Sequence, residues 1–399
     1  MDDLIRHAMD LHRQALLIDG HNDLPWQYEL MADRILSRID IGERQPELQT
    51  DIPRLREGRV GGQFWGVFVT PALKREEIVR ATIQQFDLAH NLIDRYPETF
   101  QLALTADQVE QAFRAGKIAS ILSLEGGHSI DDSLAVLRMF YGLGAHYMTL
   151  THFKTISWAD SATDHPRSNG LSAFGREVVR EMNRLGMMVD LSHVSTETMH
   201  DALDIAQAPL IFSHSSARAL TDNPRNVPDD VLRRIPENGG VVMASFVPFF
   251  NSEAASAQFI DLEREEERLE SLPDADERSV AEGIARWEET NPTPQVKLTD
   301  VADHIDHIRN VVGVDHVGIG SDFDGITYGP DGLEDVSKYP ALTAELIRRD
   351  YGDQDIIKIM GQNIIRVMRS AESVARDLKG KRGPSEALIE ELDGARASG

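Results

Sequence analysis

The chain has 399 residues, of which 41% are hydrophobic and 27% are charged, a balance that supports a large folded core and argues against a disordered or fibrous chain. Its formal net charge of −25 argues against nucleic-acid binding and a membrane-surface role, because both kinds of partner are anionic. The chain contains no cysteine, so any metal site must use histidine and carboxylate ligands.

The amino-terminal segment lacks the basic stretch followed by an apolar stretch that marks a secretory signal. No apolar run approaches the roughly 20 residues that a membrane-spanning helix needs. We therefore expect a cytoplasmic protein, unless a leader has been removed.

Eight short apolar runs recur along the chain, and each has the length of a buried strand. They lie at 15–20, 63–69, 118–126, 146–153, 187–193, 209–215, 240–246 and 316–323. Amphipathic helical spacing lies between most of them and is clearest at 78–96, 174–186 and 300–313. This alternation predicts one α/β domain over 1–399, a (β/α)8 TIM barrel, with an open doubly wound sheet as the alternative.

Two segments depart from the alternation. The segment at about 250–297, between the seventh and eighth runs, is rich in glutamate and predicts a charged helical insertion. It is either a solvated helical face or a lid, because it follows a strand on the side where barrels carry their active sites. We expect a polar carboxyl-terminal tail at about 371–399, either frayed or carrying an appended helix.

Ionisable side chains collect at the carboxyl ends of the predicted strands, where a barrel brings them to one mouth. They are His21, Asp23, Glu125, His152, His193, His214 and Asp322. The first two are expected to point the same way, because side chains alternate along a strand.

Each of these residues alone could be a packed histidine or a helix cap. Burying all of them without a cation would cost several kcal/mol each. Histidine and carboxylate ligands without sulfur suit zinc, with manganese or cobalt as alternatives. The ligands exceed what one zinc takes, so the set favours two ions that share a bridging carboxylate.

Several motifs make the chain resemble the renal or membrane dipeptidase family, zinc metallopeptidases of the amidohydrolase-like barrel group. The resemblance covers about residues 15–370. The matching stretches are IDGHNDLPW (18–26), SLEGGHSI (123–130), LTHF (150–153), WAD (158–160), LSHVS (191–195), FSHSSARAL (212–220), RNVPDDVL (225–232), HVGIGSDFDG (316–325) and GLEDVSKYP (332–340). The chain departs from the family pattern at 153–157 and at Val247, both of which bear on the substrate pocket.

The resemblance implies a role for each matching residue. It makes His21 and Asp23 ligands of one zinc ion and His193 and His214 ligands of the other, with Glu125 bridging the two. It also implies that His152 contacts the scissile carbonyl, that Arg225 receives the substrate's carboxylate, and that Asp322 is the catalytic acid/base.

The implied activity is hydrolysis of the peptide bond of dipeptides, including substrates with a D-residue at the carboxyl-terminal side. A metal-bound hydroxide would attack the carbonyl, and Asp322 would carry the proton to the leaving nitrogen. The resemblance also implies a homodimer. The alternatives are a related amidohydrolase acting on N-acyl amino acids or lactams, and a non-hydrolytic protein that kept the barrel.

Overall fold

A computed structural model describes residues 2–272 and 275–394, without the side chains of Asp2 and Glu277. Within these residues, nine strands form one sheet. The strands are β1 (Leu17–Asn22), β2 (Val60–Phe68), β3 (Phe100–Leu102), β4 (Ile118–Glu125), β5 (Ala145–Thr149), β6 (Met188–Asp190), β7 (Ile211–Phe212), β8 (Val241–Ala244) and β9 (Val317–Ile319).

Eight of these strands close into a barrel. The order around the ring is β1, β2, β4, β5, β6, β7, β8 and β9, and β9 pairs back with β1. Every pairing between the strands is parallel. The predicted (β/α)8 barrel is therefore confirmed, and the open doubly wound sheet is excluded.

One short strand was not predicted. β3 pairs with the first residues of β4, where Phe100 lies opposite Ile118, and takes no place in the ring. Three residues are too few to show a period in the sequence.

Helices connect the strands and surround the barrel. The α-helices of the described ranges are α1 (Asp2–Gln14), α2 (Leu24–Ala32), α3 (Ile52–Glu57), α4 (Arg75–Arg95), α5 (Ala106–Arg114), α6 (Leu134–Gly142), α7 (Ala173–Leu185), α8 (Thr196–Ile205), α9 (Asp229–Leu232), α10 (Ile235–Asn238), α11 (Pro248–Asn251), α12 (Glu253–Glu270), α13 (Glu277–Thr290), α14 (Leu298–Val312), α15 (Tyr339–Arg348), α16 (Asp353–Ile357), α17 (Asn363–Lys379) and α18 (Ile389–Leu392). Short 3₁₀ helices lie at Leu36–Arg38, Gly127–Ile130, Val314–His316 and Val336–Lys338, and a π-helical turn at Lys358–Gln362.

The predicted helices follow the local signals in the sequence. α7 begins where the Ser172 side chain accepts a hydrogen bond from the Gly175 backbone N–H, and it ends at Gly186 with a φ of 92°. α4 turns its apolar face, which includes Ile78 and Phe86, into the core. The three helices predicted at 78–96, 174–186 and 300–313 correspond to α4, α7 and α14.

The strands of the barrel pack closely against one another, and so do two of the loops that follow them. Ile18, Phe64, Ile121 and Tyr147, on four different strands, belong to one fully buried apolar cluster. A Cβ atom at Gly320, the residue after β9, would lie 1.8 Å from the backbone oxygen of Ser213, so only glycine fits there. This close approach draws together two of the loops that carry predicted site residues.

The predicted insertion is confirmed as α11 to α13, between the strands predicted seventh and eighth, which are β8 and β9. Residues 273 and 274 of this segment lie outside the described part. The expected start of the tail at 371 falls inside α17, where Ala371 and Ala375 are buried. Ile389 of α18 is also buried, and residues 395–399 lie outside the described part. No helix of the described ranges is long and apolar enough to cross a membrane.

Candidate metal centre

Three of the predicted site residues lie in strands or directly after one. His21 lies in β1, Glu125 is the last residue of β4, and Asp23 is the residue between β1 and α2, whose side chain makes no capping hydrogen bond. The alternation of side chains along a strand therefore does not apply to Asp23, which is outside the strand. Its carboxylate nevertheless faces the same histidine, with Oδ2 3.3 Å from His21 Nε2.

The other four residues lie in the loops that follow the strands. His152, His193 and Asp322 lie three residues beyond β5, β6 and β9, and His214 lies two residues beyond β7. The predicted runs extended over these residues because the loops are as buried as the strands. Loops at the carboxyl ends of barrel strands form one mouth, so all the predicted residues can meet there.

The Glu125 carboxylate is the centre of the cluster. Its Oε1 lies 3.2 Å from His193 Nε2, 3.4 Å from His21 Nε2, 3.7 Å from His152 Nε2 and 3.8 Å from His214 Nε2. The two Nε2 atoms of His193 and His214 are 2.9 Å apart. Four imidazole nitrogens thus converge on one carboxylate oxygen.

This donor set fits metal ions. His21 Nε2 and Asp23 Oδ1 are buried and have no hydrogen-bond partner within the described part of the chain. Three overlapping groups have ligand atoms within 4.8 Å of one another: His21 with Glu125 and His214; Glu125 with His152 and His193; and His21 with Asp23 and Asp322. Because the groups share members, the geometry suits two neighbouring ions better than separate sites. The absence of sulfur and the mixture of nitrogen and oxygen donors match zinc.

Two of the histidines are oriented by residues that the sequence did not single out. Tyr147 donates its hydroxyl hydrogen to the Gly20 backbone oxygen at 3.0 Å, so it accepts from His21 Nδ1 at 2.7 Å. Nδ1 of His21 then carries a proton, and Nε2, which faces Glu125, is the ring atom left to bind a metal.

His214 is held in the same way. Ser213 donates to Asp190 Oδ2 at 2.5 Å and accepts from His214 Nδ1 at 2.8 Å. In the sequence, Tyr147 and Ser213 are marked only as polar residues inside strand-like apolar runs. Such residues also occur in strands that have no functional role.

Burial shifts the pKa values of three groups in the cluster. It lowers the pKa values of His193 and His214 well below the usual range, and the positive charge of Arg225 adds to the effect. Burial raises the pKa of the Asp322 carboxyl well above its usual range, against the opposing effect of His21. Neutral imidazoles are the form that binds a metal.

Two site residues have strained backbones. His193 has a φ of 73° and Asp322 a φ of 69°, in the left-handed region that costs a non-glycine residue about 1–3 kcal/mol. Hydrogen bonds from Ala162 N at 2.8 Å and Thr151 Oγ1 at 3.2 Å to the His193 oxygen hold the first of these turns. Backbone strain of this kind is concentrated at functional sites.

Arg225 is buried, with 2% of its surface exposed, and forms no ion pair among the described residues. Its Nη1 and Nη2 reach Ser215 Oγ and the His214 oxygen only at 3.5 Å, and its Nε has no partner in the described chain. The guanidinium lies 5.0 Å from the centre of the Phe250 ring. Burial lowers its pKa to about 10, so it stays charged at neutral pH.

A cavity of about 510 Å³ opens onto the cluster. Its lining combines the ionisable residues Asp23, Glu125, His152, His193 and Asp322 with apolar residues that include Trp26, Phe68, Pro71 and Phe153. Arg225 is not among the described lining residues; its guanidinium lies against His214 and Ser215. The volume suits a small ligand.

The chain is similar to known proteins over most of its length. The family model described as membrane dipeptidase, peptidase family M19, matches residues 5–382. Dipeptidase verJ of Clonostachys rogersoniana is 40% identical over 391 residues, which are 95% of this chain and 90% of that protein. An uncharacterized dipeptidase of Schizosaccharomyces pombe is 43% identical over 377 residues, 91% of this chain and 82% of its own length.

Solved structures show the same fold. The probable dipeptidase PvdM from Pseudomonas aeruginosa superposes with a TM-score of 0.83 at 25% identity, covering 94% of this chain and 100% of that one. A metallopeptidase from Rhodobacter sphaeroides, solved with a phosphinate mimic of the dipeptide L-Ala-D-Ala, has a TM-score of 0.74 at 24% identity and covers 90% and 99%. The match of sequence over nearly the whole chain shows that this protein belongs to the membrane dipeptidase family, peptidase family M19.

Proposed function

We propose that this metal-dependent dipeptidase is a binuclear zinc enzyme that hydrolyses the peptide bond of dipeptides. The observation that carries the proposal is the convergence of four histidine Nε2 atoms on Glu125 Oε1. In this arrangement His21 and Asp23 would hold one ion, His193 and His214 the other, and Glu125 would bridge them.

Bound zinc would supply a water of lowered pKa and a Lewis acid for the substrate carbonyl. The protein's own residues would do the rest. His152, in the cavity wall, would donate a hydrogen bond to the carbonyl oxygen as it gains charge. Asp322 is in the same wall, 3.9 Å from His21 Nε2, and would take the proton of the attacking water and give it to the leaving nitrogen.

The proposal assigns the substrate's free carboxylate to Arg225. A guanidinium fork matches a carboxylate with two parallel hydrogen bonds, and this one has no acidic partner among the described residues. An anchor this close to the cluster would leave room for one residue beyond the scissile bond, so dipeptides would fit and longer peptides would not.

The proposal includes substrates with a D-residue at the carboxyl-terminal side. The Rhodobacter sphaeroides neighbour was solved with a mimic of L-Ala-D-Ala, which gives the probe to use. Turnover of L-Ala-D-Ala at a rate comparable to that of L-Ala-L-Ala would support this part, and strict rejection of the D-residue would contradict it. The homodimer and the cytoplasmic location stay predictions from the sequence.

Two measurements on the same proteins test the metal centre and the role of Arg225 as the carboxylate anchor. Zinc-loaded protein should hold about two zinc ions per chain, and His193→Ala should hold fewer. Wild type should hydrolyse a dipeptide far better than its carboxyl-terminal amide, because leaving a buried guanidinium unpaired costs roughly 2–5 kcal/mol. Arg225→Met should lose most of this preference and keep its zinc. Full activity with a single ion would contradict the binuclear centre, and equal cleavage of acid and amide by wild type would contradict the anchor.

A further inference from the structure

A second cavity, of about 590 Å³, lies at the opposite end of the barrel from the metal centre. Its wall includes Val60 and Ile118, the first residues of β2 and β4, whereas the candidate ligands follow the carboxyl ends of the strands. The rest of the wall comes from α1, α3, α5, the loops that follow α3 and α5, and Thr99 just before β3. The cavity is therefore separate from the catalytic mouth and has no part in the function proposed above.

The charge of this cavity opposes that of the whole chain. Its cationic wall residues are Arg13, Arg56, Arg59, Arg114 and Lys117, and none of the described residues that line it is acidic. The molecule as a whole carries a formal charge of −25. Convergence of cations on one cavity raises the local potential and favours an anion there.

Three of these five cations form no ion pair within the described part of the chain. Arg13 pairs with Asp10, and Arg114 lies 3.5 Å from Glu110. Arg56, Arg59 and Lys117 form no ion pair with any described residue. The Arg56 guanidinium instead donates to Thr99 Oγ1 at 2.9 Å, which holds it at the cavity wall.

A buried histidine at this wall has one ring nitrogen without a hydrogen-bond partner among the described residues. His12 is 2% exposed, and its Nε2 lies 2.8 Å from Thr343 Oγ1. Its Nδ1 is buried without a hydrogen-bond partner in the described ranges. Burial, together with the nearby charge of Arg59, lowers the pKa of His12 to about 4, so the imidazole is neutral at pH 7. A neutral ring can offer an N–H to a ligand without adding to the repulsion between the cations.

We propose that this basic cavity, formed around His12, Arg56, Arg59 and Lys117, binds a small molecule that carries a phosphate group. Guanidinium groups match phosphate oxygens with paired hydrogen bonds, and a lysine adds a compact charge. The volume exceeds that of a single phosphate ion and lies in the range of small-molecule sites, so there is room for an organic portion beside the phosphate.

Titration calorimetry on the zinc-loaded full chain tests the proposal, with inorganic phosphate, pyrophosphate and ADP as probes. Wild type should bind at least one probe at millimolar concentration or better, and the affinity should fall as salt is raised. Tighter binding of ADP than of phosphate would identify a phosphorylated organic molecule as the ligand. Equal binding would identify free phosphate.

The variants separate this cavity from the metal centre. Arg59→Gln combined with Lys117→Gln should weaken binding at least tenfold and leave dipeptide turnover unchanged. Arg59→Lys should keep most of the affinity, which controls for folding, and Arg80→Gln, an exposed arginine of α4, should keep all of it. Arg225→Met should bind as wild type does.

Three results would overturn the inference. The first is that wild type binds none of the probes at 5 mM. The second is that the Arg59/Lys117 double variant binds with wild-type affinity. The third is that Arg225→Met loses binding, which would assign the anion to the metal centre. None of these results depends on whether the enzyme cleaves dipeptides.

Discussion

A tyrosine hydroxyl on β5 decides which nitrogen of His21 faces the cluster. The hydroxyl of Tyr147 accepts from His21 Nδ1 and donates to the Gly20 oxygen, so the imidazole cannot take the other tautomer without losing a buried hydrogen bond. Partners of this kind commonly raise metal affinity 10–100-fold. The contribution of Tyr147 can therefore be measured apart from that of the ligands themselves.

We predict that Tyr147→Phe weakens zinc binding about 10–100-fold, because it removes the hydroxyl that orients His21. The fold should be kept, because the aromatic ring and its packing remain. Zinc affinity measured by competition with a chelator gives the result. Tyr28→Phe is the matched control, since Tyr28 is equally buried and its hydroxyl also donates to a backbone oxygen, that of Ile39, at 3.0 Å. Equal zinc affinity in the two variants would remove Tyr147 from the support of the metal centre.

We predict that Asp322→Asn keeps its zinc and loses about 10²–10⁴-fold in kcat. The amide fills the same space in the cavity wall but cannot carry a proton between the water and the leaving nitrogen. Steady-state kinetics together with elemental analysis of the same preparation provide the measurement. A variant with full zinc and near-normal turnover would show that another group carries the proton.

At the scale of whole elements, the acidic insertion contacts the loop that carries Arg225 (the arginine loop). Asn223, two residues before Arg225, donates to Ser256 Oγ of α12 at 3.1 Å. Phe259 of α12 stacks on Phe249 at 3.9 Å between ring centres, and the adjacent Phe250 lies under the Arg225 guanidinium. The start of the insertion therefore supports the place where the substrate carboxylate is proposed to bind.

We predict that Phe259→Ala raises the KM for a dipeptide about fivefold with a smaller change in kcat. An aromatic contact of this kind is worth about 1 kcal/mol, which corresponds to about that factor in affinity. Ile260→Ala is the control, because Ile260 is the next residue of the same helix and is exposed. If both variants have the wild-type KM, α12 does not position the arginine loop.

The sequence predicted the strands of the barrel and the residues at its mouth, but it placed several strand ends too late. The run at 187–193 was predicted as strand, whereas β6 ends at Asp190. Leu191 and Val194, on either side of the turn at His193, are completely buried, so the loop is as apolar as the strand. Hydrophobic pattern alone cannot show that the backbone turns to a positive φ at His193.

Contacts between segments that are distant in the chain could not be predicted from the sequence either. The hydroxyls of Tyr147 and Ser213 that orient the histidines are single polar atoms in apolar runs, and their partners are known only once the strands are in register. The basic cavity is assembled from segments more than 100 residues apart, such as those of Arg13 and Lys117, within a strongly acidic chain. No local window of the sequence contains that arrangement.

At the scale of the whole molecule, the two ends of the barrel differ in the ionisable residues that they carry. Candidate metal ligands and one buried arginine lie at the carboxyl ends of the strands, and the basic cavity lies at the amino ends. Both ends also contain buried neutral histidines. His12 lies at the basic cavity, and His304 of α14 packs behind the loop that follows β7. The global stability of the fold therefore depends on keeping these rings uncharged.

His304 links pH to unfolding in a direction that can be stated. Its Nδ1 accepts a hydrogen bond from the Ala217 backbone N–H at 3.0 Å, which a protonated ring could not do. Burial, with a smaller effect from His307, lowers its pKa from 6.5 to about 4. Between these two values the unfolded chain binds more protons than the folded one, so stability is complete above pH 6.5 and is lost as the pH falls towards 4.

We predict that wild type loses about 2 kcal/mol more unfolding free energy between pH 7 and pH 5 than His304→Asn does. The asparagine oxygen can accept the same backbone hydrogen bond and has no charge to gain. Urea unfolding of the zinc-loaded proteins at several pH values gives the slopes, and protons taken up by His12 or by the metal ligands cancel in the comparison. His165→Asn, which changes an exposed histidine, should keep the wild-type slope. Equal slopes for wild type and His304→Asn would mean that the ring is not held neutral by the fold.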